Sequence, residues 1–368
     1  MKAKLLKILR NRLIAANKKL RIGNLKNSGF TILELLVAVV ISTVVMIALV
    51  DMITDLLRSD RTEFGRNETQ REMQMAVDMM VSDLREAAYV YSGKEINQPR
   101  TQTNGVSIPA LKNYLPAFST PNVEPVLVFW KVDPVPYNQT DPPIPSCTGF
   151  ADGTPKRQEC NLLQIKRRSY TLVAYLFAPN QPNDDKWKGK SRLMRYEVRK
   201  YQNIAALEQS TGYLDPTTQN VSFQTWPLQG DGLTPPGGGA RLPDTPAHRP
   251  VLVDFVDYSR IIVSGTPQSI EQINDQPCPD PSAASTEDNH SRVPENRDTY
   301  NSFFVCVSPS SYPVTNPATG EVTLIQANQD VLIFLRGNPT GRAGIKVAPL
   351  LTIKTQAVAR GVVNKTPD

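Results

Sequence analysis

The chain has 368 residues, 40% of them hydrophobic and 21% charged, with a formal net charge of +6. These values exclude wholesale disorder, a collagen repeat and a coiled coil throughout, and a polytopic membrane protein is excluded because one stretch alone is long and apolar enough to span a bilayer. The charge is not a nucleic-acid footprint, since residues 1–29 carry nine Lys or Arg and no acid while residues 30–368 carry 32 basic against 35 acidic residues.

Residues 1–29 read as a cationic leader. Phe30 to Val50 follows, 21 residues with Glu34 as the one ionisable group. As a helix this run spans roughly 31 Å, about the thickness of the hydrocarbon layer. Cations crowd its N-terminal side, while Asp51, Asp55, Arg58, Asp60 and Arg61 nearly cancel on the other. That asymmetry places the N-terminus in the cytoplasm and the body outside. Gly29 stands before the apolar run, whereas an ordinary secretory signal is cut after it. Cleavage after Gly29 leaves the helix on the mature chain and makes Phe30 its N-terminus.

Glu34 is then mature residue five. A carboxylate near the helix end in hydrocarbon costs about 2–3 kcal/mol, and its own helix offers no cation. The ammonium freed at Phe30 is the candidate partner. Within one helix the two lie about 6 Å apart along the axis, so a neighbouring, offset helix reaches more easily. A protonated Glu34 facing lipid, or one extended to the headgroups, are the alternatives.

Residues 51–92 read as an amphipathic continuation. From Arg71 to Tyr91, apolar residues fall at Met73, Val77, Met80, Leu84, Ala87 and Tyr91, one helical stripe. No proline precedes Pro99. The expectation is a helix from Phe30 to about Tyr91, with Arg61 to Asn67, which includes Gly65, as the stretch for any interruption.

Residues 93–368 hold all 31 prolines and read as a β-rich exported domain. Strand candidates are 125–132, 162–178, 191–200, 251–263, 303–307, 321–335 and 350–359, with possible breaks at 164–169 and 327–329. Short links favour an antiparallel sheet, and a long helix followed by a sheet gives an α+β fold. The Pro- or Gly-containing stretches 133–145, 231–250 and 276–299 read as surface loops.

Four cysteines, Cys147, Cys160, Cys278 and Cys306, allow three pairings. Cys147–Cys160 with Cys278–Cys306 is favoured, because each pair brackets one suspected loop in a compartment that permits disulfides. No Cys-x-x-Cys is present, and His248 and His290 have no ligand spacing, so no metal is expected. Gly189-Lys190-Ser191 lacks the earlier glycine of a phosphate loop, Asp184 standing in its place. No cofactor and no catalytic residue are expected.

Gly29-Phe30-Thr31-Ile32-Leu33-Glu34-Leu35-Leu36-Val37-Ala38, behind a cationic leader, resembles the cleavage and methylation signature of type IV prepilins and type II secretion pseudopilins. The resemblance implies that a membrane aspartic protease, the prepilin peptidase, cuts after Gly29 and methylates the amine of Phe30. It implies assembly roles for Glu34 and Thr31, a pilin-like fold, and other pilin subunits as partners. It also implies an inner-membrane assembly platform and a cytoplasmic ATPase. The Asp83-to-Ala87 block resembles the minor pilin and pseudopilin branch with the larger globular domains, and Glu124 to Lys131, Tyr170 to Phe177 and Ser191 to Arg199 are similar to pseudopilins of hormogonium polysaccharide secretion in filamentous cyanobacteria, which implies a part in polysaccharide export and gliding. Many major pilins carry a helix-breaking proline where Asp51 stands here, so the resemblance points to a minor subunit. A single-pass anchored receptor or adhesin, and an anchored polysaccharide-modifying enzyme, are the alternatives from other classes.

Overall fold

The structure, a computed structural model, describes residues 31–102, 104–116, 122–181, 185–218, 220–237, 241–244, 249–258, 278, 290–295, 302–315, 319–342, 345 and 350–361. Gly29 and Phe30 lie outside the described residues, as do the leader and most of 276–299.

In chain order the elements are α1 (Ile32–Arg85), β1 (Ala87–Val90), α2 (Gly93–Asn97), β2 (Arg100–Thr101), β3 (Ser107–Ile108), β4 (Glu124–Pro134), α3 (Pro155–Lys166), β5 (Arg168–Pro179), β6 (Ser191–Val198), β7 (Tyr201–Asn203), β8 (Glu208–Gln209), β9 (Val251–Val256), β10 (Ser291–Val293), β11 (Phe303–Val307), β12 (Ser311–Thr315), β13 (Val322–Gln326), β14 (Asp330–Gly337) and β15 (Leu351–Val358). This is an α+β chain. It divides after Ser59 into two compact units.

In the second unit, nine strands form one antiparallel sheet in the order β1-β4-β5-β6-β9-β14-β11-β10, with β15 also paired to β14. Strand β14 changes partner at Arg336. The Arg336 amide donates to the Ser302 carbonyl ahead of β11, and its carbonyl accepts from Asp257 N just after β9. A buried ion pair marks the junction, Arg336 Nη2 to Asp257 Oδ2 at 2.7 Å, and Asn338 donates to the other carboxylate oxygen.

The edge of β1 is closed by a side chain. The amide of Gln329 accepts from Val90 N at 2.9 Å and donates to Val90 O at 2.7 Å. It thus takes the place of a strand residue beside an edge that would otherwise expose its backbone groups. Gly361 N–H donates to Ala87 O further along.

The second unit's share of α1 buries Gly65, Thr69, Met73, Ala76, Val77, Met80, Asp83 and Leu84, a stripe at helical spacing. Gly337 of β14 lets Met73 approach: a Cβ there would lie 2.2 Å from Met73 Sδ. Gly65 does not interrupt the helix. It makes room for Ile345, whose Cδ1 would be 2.3 Å from an added Cβ.

Two expectations need correction. The helix stops at Arg85, not near Tyr91. Ala87 and Tyr91 keep the helical spacing, but Ala87–Val90 pairs with β4 and all four residues are buried. Core on both faces together with ladder hydrogen bonds outweighs continuation of a one-faced helix. Residues 162–178 break within 164–169 as expected, but the part before the break is helix, not strand, and belongs to α3. Thr154 caps that helix by accepting from Arg157 N, Pro155 occupies its first turn, and Arg167 closes it in the left-handed conformation. The stretch 321–335 divides at 327–329, where a break was expected, into β13, paired with β12 in a hairpin of its own, and β14.

Disulfides join Cys147 to Cys160 and Cys278 to Cys306, with Cα atoms 5.6 and 5.5 Å apart. The first anchors α3 over a small satellite core that includes Val135, Leu163, Tyr201 and Ile204.

Candidate functional site

The sequence directs attention to the start of α1. Thr31 caps the helix: its Oγ1 accepts from Glu34 N at 3.2 Å, and its carbonyl accepts from Leu35 N at 3.1 Å. Threonine three residues before glutamate at a helix start is the capping-box pairing of residues. Glu34 therefore occupies the first turn, where the helix dipole favours negative charge.

From Thr31 to Ser59 every residue is exposed. Up to Val50 that exposed surface is apolar on all sides apart from Glu34 near the helix start, with Ile32, Leu33, Leu36, Val40, Val44 and Ile47 among its members. A helix apolar all round is not built to float in water. It is the one helix, among the described residues, long and apolar enough to cross a membrane. Thr43 returns its hydroxyl to Val40 O at 2.8 Å, so this polar group is satisfied inside the helix, as a hydrocarbon environment requires. Between Thr31 and Val50 the arrangement presents one carboxylate, that of Glu34, in the first helical turn.

Within the second unit, α1 is fastened by a feature that sequence reasoning missed. Asp83 is buried on the sheet side of the helix. Its Oδ1 accepts from Lys131 Nζ on β4 at 3.1 Å, and its Oδ2 accepts from Tyr175 OH on β5 and Arg195 Nε on β6, each at 2.8 Å. Three neighbouring strands thus each send one donor to one helical carboxylate. Burial pushes the Asp83 carboxyl up, but the hydrogen bond and charge of Arg195, followed by the charge of Lys131, outweigh it and hold the pKa below the ordinary value. Burial also works against the Lys131 ammonium, and Asp133 at 2.9 Å together with Asp83 raises its pKa. Arg195 carries a second acid, Glu197. The signal in the sequence was Asp83 itself, an acid beside Leu84 on the apolar stripe.

Arg342 makes a second fastening. It pairs with Glu68 and Glu72 of α1 at 2.7 and 2.6 Å, donates to Thr69 Oγ1, and covers the Phe255 ring.

Of the expected site residues, Thr31 and Glu34 come together at the cap. Among the described residues, no group of three His, Cys, Asp or Glu side chains converges as a metal would require.

No curated protein and no solved structure matches the chain. Residues 24–50 match the family described as the prokaryotic N-terminal methylation motif, so the chain carries the N-terminal signature of type IV pilins and pseudopilins.

Proposed function

We propose that this protein is a minor subunit of a type IV pilus-like or type II secretion-like fibre. It is inserted with its N-terminus in the cytoplasm, cut after Gly29 by a prepilin peptidase and methylated on Phe30. The run Phe30 to Val50 anchors it in the membrane and later packs in the fibre core. Each Glu34 accepts the charge of the Phe30 amine of a neighbouring copy or related subunit. The domain of residues 93–368 is exported, and the fibre assists polysaccharide secretion and gliding. Its role is structural.

The observation that supports this reading most strongly is the methylation motif over residues 24–50, with Glu34 as the one acid in the exposed apolar run from Thr31 to Val50. An unpaired carboxylate there is costly in lipid, and pairing between chains removes the cost. A fastened helix and a disulfide-bearing antiparallel sheet suit an exported domain.

Glu34→Ala tests the assembly role. Cutting at Gly29 is expected to persist while recovery of the subunit in sheared fibres falls at least about tenfold, the equivalent of ~1.4 kcal/mol. Unchanged recovery contradicts the pairing role.

A further inference from the structure

The two fastenings of α1 hold stretches that are packed very differently. From Met73 to Leu84 the sheet side of the helix is apolar, and Met73, Ala76, Val77, Met80 and Leu84 are at most 3% exposed. Asp83 in their midst is as buried as the Lys131 and Arg195 side chains it meets, each 11% exposed. From Asp60 to Glu72 the balance reverses. Phe64 is the one large apolar residue of that stretch, and it is 69% exposed. The buried positions are Gly65 and Thr69, which have little side chain to bury. A cleft of about 710 Å³ opens there, with Phe64, Glu68, Lys188, Phe255 and Arg342 among its walls.

Arg342 supplies the polar hold on this stretch, and Ile345 against Gly65 the apolar one. Both follow β14 on a strap that the sheet holds independently of α1. Asn338 N donates to Phe255 O and Asn338 Nδ2 to Asp257 Oδ1, each at 2.9 Å, and Ile345 N returns to Arg342 O at 2.9 Å. The Arg342 guanidinium lies 4.1 Å from the centre of the Phe255 ring, a seat it keeps whether or not α1 is in place. Its partners Glu68 and Glu72 are 44% and 29% exposed, so water takes over when the pairs part. Ion pairs so placed stabilise little, whereas parting Asp83 from its donors leaves buried charges unpaired.

We infer that Arg342 is a releasable clasp: the turns from Asp60 to Glu72 part from the sheet and return, while Met73 to Leu84 stays packed. Local opening draws on segments with few buried apolar contacts, and the boundary falls at Met73, where those contacts begin. Under the function proposed above, the clasp lets the turns that follow the apolar run change neighbours without unfolding the domain. The clasp itself rests on packing within the second unit and not on cleavage after Gly29.

The test uses the full chain in detergent micelles. The four native cysteines are joined in disulfides, so one added cysteine is the one free thiol. Ile345→Cys reports on the clasped stretch and Ala76→Cys on the packed one, at side chains 5% and 3% exposed. Each maleimide labelling rate is divided by that of the same variant unfolded in urea. On this scale position 345 is expected to label at least about tenfold faster than position 76, and still well below the unfolded rate. Arg342→Gln is expected to raise labelling at 345 about fivefold and to leave 76 within about twofold. Glu68→Gln with Glu72→Gln removes the clasp from the helix side and is expected to do the same, with no further rise when Arg342→Gln is added. Protection at 76 checks that each variant folds. Equal protection at the two positions overturns the proposal, as does labelling at 345 that ignores these changes. Acceleration at 76 in step with 345, or labelling at 345 at the unfolded rate with the clasp intact, overturns it too.

Discussion

The Nε–H of Arg195 on β6 donates to Oδ2 of Asp83 on α1 over 2.8 Å, and the Tyr175 hydroxyl shares that oxygen at the same distance. Lys131 holds the other oxygen. The helix is therefore fixed to the sheet by charge as well as by the apolar stripe. Asp83→Ala removes one acid from a buried cluster and leaves Lys131 with Asp133 and the half-exposed Glu86, and Arg195 with Glu197. Breaking a buried pair in this way costs about 3 kcal/mol. Urea unfolding of the full chain in detergent at pH 7 is expected to show that loss.

The same carboxylate predicts an acid limb. Its folded pKa lies below the ordinary value, so the unfolded chain binds the proton more readily. The contribution of Asp83 is complete above the unfolded pKa of about 4 and disappears as pH falls through the lower folded value. The stability gap between the parent chain and Asp83→Asn is expected to be constant from pH 7 to 5 and to narrow below about pH 4. A gap that widens on acidification contradicts the assignment.

Gly337 and Met73 provide a packing test. A side chain at 337 runs into Met73 Sδ and then Thr69. Gly337→Val is expected to lower stability by about 1–3 kcal/mol through overpacking. Met73→Ala in the same chain is expected to recover part of that loss, because the clash goes with the sulfur. Thermal unfolding of the two single variants and the double variant gives the coupling.

Gln329 closes the β1 edge with two hydrogen bonds to Val90. Gln329→Leu leaves that peptide group buried and unpaired, at a cost of about 1–3 kcal/mol. Hydrogen exchange at the Val90 amide is expected to accelerate more than exchange at Val173, at the centre of β5.

The Cys147–Cys160 bridge closes a loop with a sequence separation of 13. A loop of that size stabilises by about 3 kcal/mol through chain entropy. Replacing both cysteines with serine is expected to loosen α3 and expose Tyr201, read as a rise in protease cutting between Val135 and Ile204 with β4 and β5 intact.

The parts legible in the sequence were those governed by local pattern. The run from Met73 to Leu84 announced a helix packed on one side, and β4, β6, β11 and β15 each announced themselves by short apolar runs between turn residues. Ala87 and Tyr91 misled because they preserved the helical spacing, and only the pairing of Ala87–Val90 with β4 decides for strand. At α3 the local signal was present in Thr154 and Pro155, but the Leu162-Leu163 doublet read as the start of a strand ahead of the break at 164–169. Pro313 concealed β12, whose hairpin partner begins at Val322. The isolation of Glu34 in its apolar run was legible because it depends on nearest neighbours, whereas the cap at Thr31 emerged from the structure. The cluster at Asp83 was not legible, since its donors lie 48, 92 and 112 residues away and only the folded sheet brings them together.

The central claim is the cut that frees an amine next to Glu34. Intact-mass and N-terminal peptide analysis of the chain recovered from membranes and from sheared fibres tests it most directly. The account predicts a chain that begins at Phe30, with a methyl group on its amine and no leader peptide. A fully assembled chain that still begins at Met1, or at any residue other than Phe30, contradicts it.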